Sequence, residues 1–341
     1  MTPSYTKLIR SPEIYGDFWF NSGPLTLNSL QGNVVLLLFW DYTSENSLRT
    51  LQYVNEWDRR YRSLGLTAIG IHSPEFSFAR DAHRIEEAVQ VSQVSFPVAT
   101  DNTKIMRDSF RVSELPTIVL IDRDGNIYFT HPGEGGFDRT ERAIQTLLHE
   151  AGYRGELPLL LDYMIDSPLE QPFYLKASPE IRTSYLYGAL GNVEGYNPEL
   201  PADYRDPSIY VEGKFYAEGC WIAKADSFIY DGEPHQGYLI VRYNGKKVNA
   251  VVSAESAGAH FKILRDDASV GSQIRGHDIV TDDDGTTTVN AGKPQLVNII
   301  LDTLFGDHVL KMIPSKRGTA IYSLNFSIDT SPVGRLPLLT N

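Results

Sequence analysis

Residues 33–40 read NVVLLLFW, an unbroken apolar run of strand length built from valine, leucine and aromatics. A run without polar alternation has no face to turn to water, so it specifies a strand covered on both sides, at the centre of an α/β sheet. Over residues 44–63, SENSLRTLQYVNEWDRRYRS, the positions Leu48, Leu51, Tyr53, Val54, Trp57 and Tyr61 then recur near helical spacing, with charges between them. Gly65 stops this helix, and Leu66–His72 (LTAIGIH) forms a second apolar strand, followed by a loop, SPEFSF, and a helix-compatible stretch from Ala79 to Val94. Next come Ser95–Ala99 (SFPVA) and a short helix-compatible segment, DNTKIMRDSF. Pro116–Asp122, a turn at Asp124-Gly125 and the strand NIYFTHP predict a hairpin, and Asp138–Ala151 a last helix with Ile144, Leu147 and Leu148 on one side. Strand–helix alternation closed by a hairpin and a helix predicts an α/β domain with a mixed central sheet and helices on both faces.

The texture then changes. Gly152, Gly155, Pro158, Pro168 and Pro172 mark a boundary, which assigns residues 1–152 to the first domain, 153–177 to a linker and 178–341 to a second domain. Leu157–Leu161 are expected to pack back on the first domain. Beyond the boundary, Tyr-, Val-, Ile- and Phe-rich runs are broken by Gly, Asp and Asn: SIYVEGKFYAEGCWIA, YLIVRY, VNAVVSA, AHFKILRD, QLVNIIL, HVLKMIP and AIYSLNF. Many short strands with almost no helix predict an all-β, jelly-roll-like sandwich. At 341 residues the chain is long enough for two such domains.

Composition narrows the function. A net charge of -12 excludes a broad nucleic-acid surface, because phosphate binding needs concentrated positive charge. No apolar run approaches the ~20 residues that would span a bilayer. The first residues, MTPSYTK, lack the basic, apolar and small-residue parts of a secretory signal. The expectation is therefore an extracytoplasmic location if a signal was trimmed, and a cytoplasmic one if Met1 is native. The single cysteine, Cys220, rules out an intrachain disulfide.

The strand ending in Phe39-Trp40, followed by DYTSENSLRT opening a helix, resembles the thioredoxin-like redoxins (AhpC/TSA type). Those proteins carry a Cys-x-x-Cys at this place. GLTAIGIHSPEFSF, FPVATDN, LPTIVLIDRDGNI and HPGEGGFDRTERAIQTLL extend the likeness over most of residues 15–152. It is similar in particular to the periplasmic thioredoxin-like part of DipZ-type proteins, which add a carbohydrate-binding-like β-sandwich. The second half resembles that sandwich more loosely, from Ser178-Pro179-Glu180 onward.

Matched residue by residue, the resemblance puts Ser44 at the attacking cysteine and Ser47 at the resolving one. Family chemistry needs a thiolate stabilised at a helix N-terminus, and a serine hydroxyl neither ionises in that range nor forms an S–S bond. Leu38 stands where many thioredoxins have a buried Asp, and this joint absence favours natural loss over an engineered Cys-to-Ser form. On residue chemistry alone Ser44 is a helix N-cap with Ser47 in the first turn. Pro116 matches the cis-proline that faces the family's active site, where the preceding residue offers backbone hydrogen bonds to an extended polypeptide. The resemblance thus implies a groove lined by Trp40, Asp41, Tyr42, Glu45, Leu115 and Pro116, while the plainer alternative is that Pro116 only shapes the turn into its strand.

Other candidates have less behind them. A serine nucleophile at Ser44 would need a base, and His72 and His131 are the candidates; no Gly-x-Ser-x-Gly elbow surrounds it, and His72 reads as a solvated loop residue. Thr43 fits a peroxiredoxin motif that lacks its cysteine. Cys220, next to Trp221, reads as a buried, inert thiol. Asp282, Asp283 and Asp284 read as a solvated hairpin turn, with calcium the alternative. Tyr185, Tyr187, Tyr196, Tyr204, Tyr210, Tyr216, Trp221, Tyr230 and Tyr238 read mostly as core, with sugar stacking the reading the resemblance adds. No metal or cofactor site is expected. The functional expectation is a redox-inactive binding or scaffolding module for a polypeptide or a glycan. The alternative is a redoxin-class thiol-disulfide oxidoreductase or antioxidant protein, working through Cys220 or dead only in a Cys-to-Ser form.

Overall fold

The computed structural model describes residues 9–161 and 175–328, which form two compact units. The first runs β1 (Ile9–Arg10), β2 (Trp19–Phe20), β3 (Val34–Trp40), α1 (Glu45–Tyr61), β4 (Leu66–His72), α2 (Ala82–Val91), β5 (Val98–Thr100), α3 (Ile105–Ser109), β6 (Thr117–Ile121), β7 (Asn126–Pro132) and α4 (Phe137–Glu150). Its seven strands are ordered β1-β7-β6-β3-β4-β5-β2, with β3, β4 and β5 parallel and the other pairings antiparallel. The NVVLLLFW run is the middle strand and every residue of β3 is buried. Val35, Leu37 and Phe39 face a core with Ile69, Ile71, Met106 and Phe110. Leu36, Leu38 and Trp40, on the opposite face, are as deeply buried, and α1 and α4 both contact β3. Gly65 ends the first helical segment in the left-handed region at φ 109°. Gly70 is demanded by close approach: a Cβ there would lie 3.0 Å from Trp40 Nε1, with Phe96 and Val98 at 3.3 Å.

The second unit holds β8 (Ile181–Arg182), β9 (Pro201–Tyr204), β10 (Phe215–Ala223), β11 (Phe228–Tyr230), β12 (Tyr238–Ala254), β13 (His260–Arg265), β14 (Ala268–Ser269), β15 (Ile279–Thr281), β16 (Thr287–Asn290), β17 (Gln295–Pro314) and β18 (Thr319–Ser327). They form one 11-stranded, hydrogen-bonded sheet around a single apolar core. Here the structure corrects the count of short strands. YLIVRY and VNAVVSA belong to one strand, β12, and QLVNIIL and HVLKMIP to another, β17. The polar breaks between them are bends: Gly245 pairs with Gly306, and the register shifts between Gly245 and Lys247 and again between Val248 and Asn249. Glycine and bulges let a long strand turn without ending, so β12 pairs with β10 over its first part and with β18 over its second.

The linker prediction of 153–177 falls partly on residues 162–174, outside the described residues. Its first part is tied down through the backbone: Arg60 and Gln145 donate to the Leu159 and Pro158 carbonyls at 2.6 and 2.8 Å, and Glu141 accepts from Leu161 N–H at 2.8 Å. The Leu159 side chain is 88% exposed, while Leu157, Leu160 and Leu161 are half-buried. Ser178 is anchored in the second unit, bonding Asn244 and Glu212.

Candidate functional site

Three segments meet at one edge of the first sheet. The parallel register brings Trp40 beside His72, and the antiparallel register sets Phe39 opposite Thr117, so the ends of β3 and β4 adjoin the start of β6. The Leu115–Pro116 peptide bond there is cis. Thr117 pairs in turn with Pro132, and the Pro116 carbonyl accepts from Gly133 N–H at 2.8 Å, which adds the β7–α4 loop.

Ser44 has the extended backbone of an N-cap (φ -101°, ψ 116°), and its Oγ accepts from Ser47 N–H at 3.3 Å. Ser47 is fully buried, and its Oγ accepts from Asp41 N–H at 3.4 Å. Both hydroxyls thus serve the local backbone. Asp41 is a hub: Oδ1 accepts from Thr43 N–H at 2.9 Å and Oδ2 from Glu75 N–H at 2.6 Å, joining the loops after β3 and β4.

Two expectations are corrected by this arrangement. Trp40, Asp41, Tyr42 and Glu45 are interior side chains, at most 4% exposed, and do not line an open groove; Pro116 is buried as well, and of the proposed lining only Leu115 is partly exposed. His72 is no solvated loop residue: it ends β4 with 0% exposure, stacked on Tyr42, edge-on to Trp40, and 3.6 Å from Asp41 Oδ1. Parallel pairing of β4 between β3 and β5 carries the strand's last residue under the β3–α1 loop, which a strand boundary read from hydropathy does not reveal. Burial, reinforced by Asp41, raises the Tyr42 phenol well above its usual range. Thr43 is buried. His131 lies on β7, half-buried, and burial is the first cause of its lowered pKa, followed by Arg139.

Several residues that sequence reading missed shape this edge. Arg49 is 2% exposed; its Nε and Nη2 bind the two Glu134 oxygens at 2.6 Å each, and its Nη1 lies 3.0 Å from Glu45. Glu45 and Arg49 stand four apart, a helical ion-pair spacing visible in the sequence, whereas Glu134 is 85 residues away from Arg49 and carries no local signal. Arg107 binds Glu75 at 2.8 Å and the Val112 and Ser113 carbonyls at 3.2 Å, fixing the approach to Leu115.

In the second unit Cys220 is partly exposed rather than buried, on β10 opposite Asp203. Burial, then Asp203 and Asp231, push its thiol up, which works against a nucleophilic thiolate. Asp282–Asp284 form the hairpin turn between β15 and β16, closed by Gly285 N–H to the Asp282 carbonyl at 2.9 Å. Tyr204, Tyr216, Trp221 and Tyr230 are core, Tyr187 is 67% exposed, and Tyr185, Tyr196, Tyr210 and Tyr238 are half-buried. Tyr210 and Tyr238 both donate to Asp206, at 2.8 and 2.7 Å.

Comparison with known proteins agrees with this architecture. Residues 32–127 match the family described as Thioredoxin-like, and residues 181–327 the Thioredoxin like C-terminal domain. Each of the two units is thus similar to a thioredoxin-like family model. Protein DipZ of Mycobacterium tuberculosis is 27% identical over 274 residues, covering 78% of this chain and 38% of DipZ. The chain therefore spans about two fifths of the length of that relative. Thiol-disulfide oxidoreductase ResA of Bacillus cereus is 28% identical over 123 residues, covering 36% of this chain and 68% of ResA. A solved structure of a thiol:disulfide interchange protein DsbE from Chlorobium tepidum covers 41% of this chain and 96% of its own, at 21% identity and TM-score 0.37. In this chain the helix after β3 is capped by Ser44, with Ser47 in its first turn.

Proposed function

We propose that this thioredoxin-like chain has no dithiol chemistry of its own and uses the edge beside Pro116 to hold an extended polypeptide. The observation that carries the reading is Leu115. Its backbone N–H and C=O take part in none of the hydrogen bonds among the described residues, and it sits two residues ahead of Thr117, where β6 begins, with its side chain partly exposed. A free donor and acceptor next to a sheet are what an added strand needs. Ser44 and Ser47 support the rest, because the Ser44 hydroxyl caps α1 and the Ser47 hydroxyl accepts from Asp41 N–H in the preceding loop. The second unit is the place for a further ligand, and a glycan is the class its family resemblance suggests.

The reading is tested by hydrogen exchange of the whole chain with and without unstructured, cysteine-free peptides. Slower exchange over 112–117 on binding is expected. Binding without protection there would overturn the reading.

A further inference from the structure

His131 stands against the loop that closes this edge. It lies on β7 opposite Ile118, and Gly133–Gly136 lie between that strand and α4. Its ring packs on Gly136, where a Cβ would stand 2.8 Å from Cε1 and 3.1 Å from Nε2. Nε2 is buried there and has no hydrogen-bond partner among the described residues. The ring is also parallel to Phe129, with centroids 6.2 Å apart, and Arg139 lies 5.4 Å from the same Phe129 ring. The charged groups that act on the imidazole are Arg139 from α4 and Glu114 from the approach to β6. β7 carries no other charge, and Glu134 in the loop is bound to Arg49. Burial first, then Arg139, favour the neutral ring, and Glu114 the protonated one.

Protonation gives Nε2 a hydrogen it cannot place where it stands. A buried donor without an acceptor, near a second cation, is costly. Glu114 is exposed, and its Oε1 lies 3.4 Å from where a Cβ on Gly133 would stand, so an acceptor is at hand across the loop. The same loop reaches the edge itself, through Gly133 N–H to the Pro116 carbonyl at 2.8 Å. We propose that His131 is a pH-sensitive latch on the Leu115 edge. Neutral, it seats the β7–α4 loop and keeps Gly133 on Pro116; protonated, it leaves Gly136 for Glu114, and the loop and the Leu115–Pro116 segment loosen. The consequence rests on the polypeptide reading above: the edge holds a strand at neutral pH and releases it in acid.

The latch is tested on the free, full chain, by hydrogen exchange over 133–137 corrected for the ordinary pH dependence of amide exchange. Exchange should quicken about fivefold between pH 7.5 and 5.5, and its midpoint should match that of the His131 ring followed by NMR. His131→Gln should remove the response, and Glu114→Gln should move it to lower pH. A ring that titrates while the loop keeps its protection would overturn the latch, as would a response that survives His131→Gln. Should that variant not fold, the match of ring and loop midpoints in the unaltered chain decides. Calorimetry with a ten-residue peptide alternating valine and glutamine then tests the consequence, with affinity expected to fall about fivefold between the same pH values. Equal affinity at both would overturn the coupling of the latch to the edge. A peptide that never binds, on a chain whose loop responds, would overturn the polypeptide reading and leave the latch standing.

Discussion

Replacing Arg49 by methionine keeps the length and apolar stem of the side chain and removes its charge. In the structure that charge is 2% exposed, bidentate to Glu134 and 3.0 Å from Glu45, whose side chain is 4% exposed. Without it, two carboxylates remain in a region from which water is largely excluded. Breaking a buried ion pair from one side costs about 3–5 kcal/mol, and since Glu134 keeps 21% of its surface in solvent the lower end, about 3 kcal/mol, applies. Hydrogen exchange of β3 and α1 amides reads this within the intact chain: at ~1.4 kcal/mol per factor of ten, exchange through global opening should quicken about a hundredfold. The triple variant Arg49→Met, Glu45→Gln, Glu134→Gln should recover most of the loss, because uncharged amides cost far less to leave in place. Acceleration below about fivefold in the single variant would show that solvent or side-chain rearrangement already satisfies the carboxylates, and the interior network described for this edge would be wrong.

Two further outcomes follow from the same region. Ser44→Ala should cost about 1 kcal/mol through the lost cap, seen as roughly fivefold faster exchange in the first turns of α1, while Ser44→Asp should retain the protection. His131 has its pKa lowered in the folded chain, first by burial and then by Arg139, so it binds a proton more readily when unfolded. Its contribution is therefore present above the unfolded value of about 6.5 and is lost as pH falls through the lowered value. His131→Gln should flatten that part of the thermal-midpoint profile between about pH 7.5 and 5.5.

The fold of the first unit was legible because its signals are local. An apolar run such as VVLLLFW, the helical spacing from Leu48 to Tyr61 and the Asp124-Gly125 turn each act over a few residues. β1 and β2 escaped because a two-residue strand has no period. In the second unit, Gly245 and Gly306 read as breaks when each run is taken alone; only their pairing across β12 and β17 shows that they bend a continuous ladder. The candidate site was legible in its cap, Ser44 with Ser47, and in Pro116. It was misread where depth decided, since Trp40, Asp41, Tyr42, Glu45 and His72 lie beneath loops tied together by Asp41. Glu134 could not be foreseen, because its partner Arg49 is supplied by tertiary contact alone.

The most direct test of the central claim is the rate at which dithiothreitol reduces a protein disulfide in the presence of this chain and of its Ser44→Cys, Ser47→Cys double variant. The account predicts that the unaltered chain leaves the rate at that of dithiothreitol alone and that the double variant raises it, since the helix N-terminus that would stabilise a thiolate is in place. Acceleration by the unaltered chain would contradict the claim and direct attention to Cys220, and a silent double variant would show that this edge has lost more than its thiols.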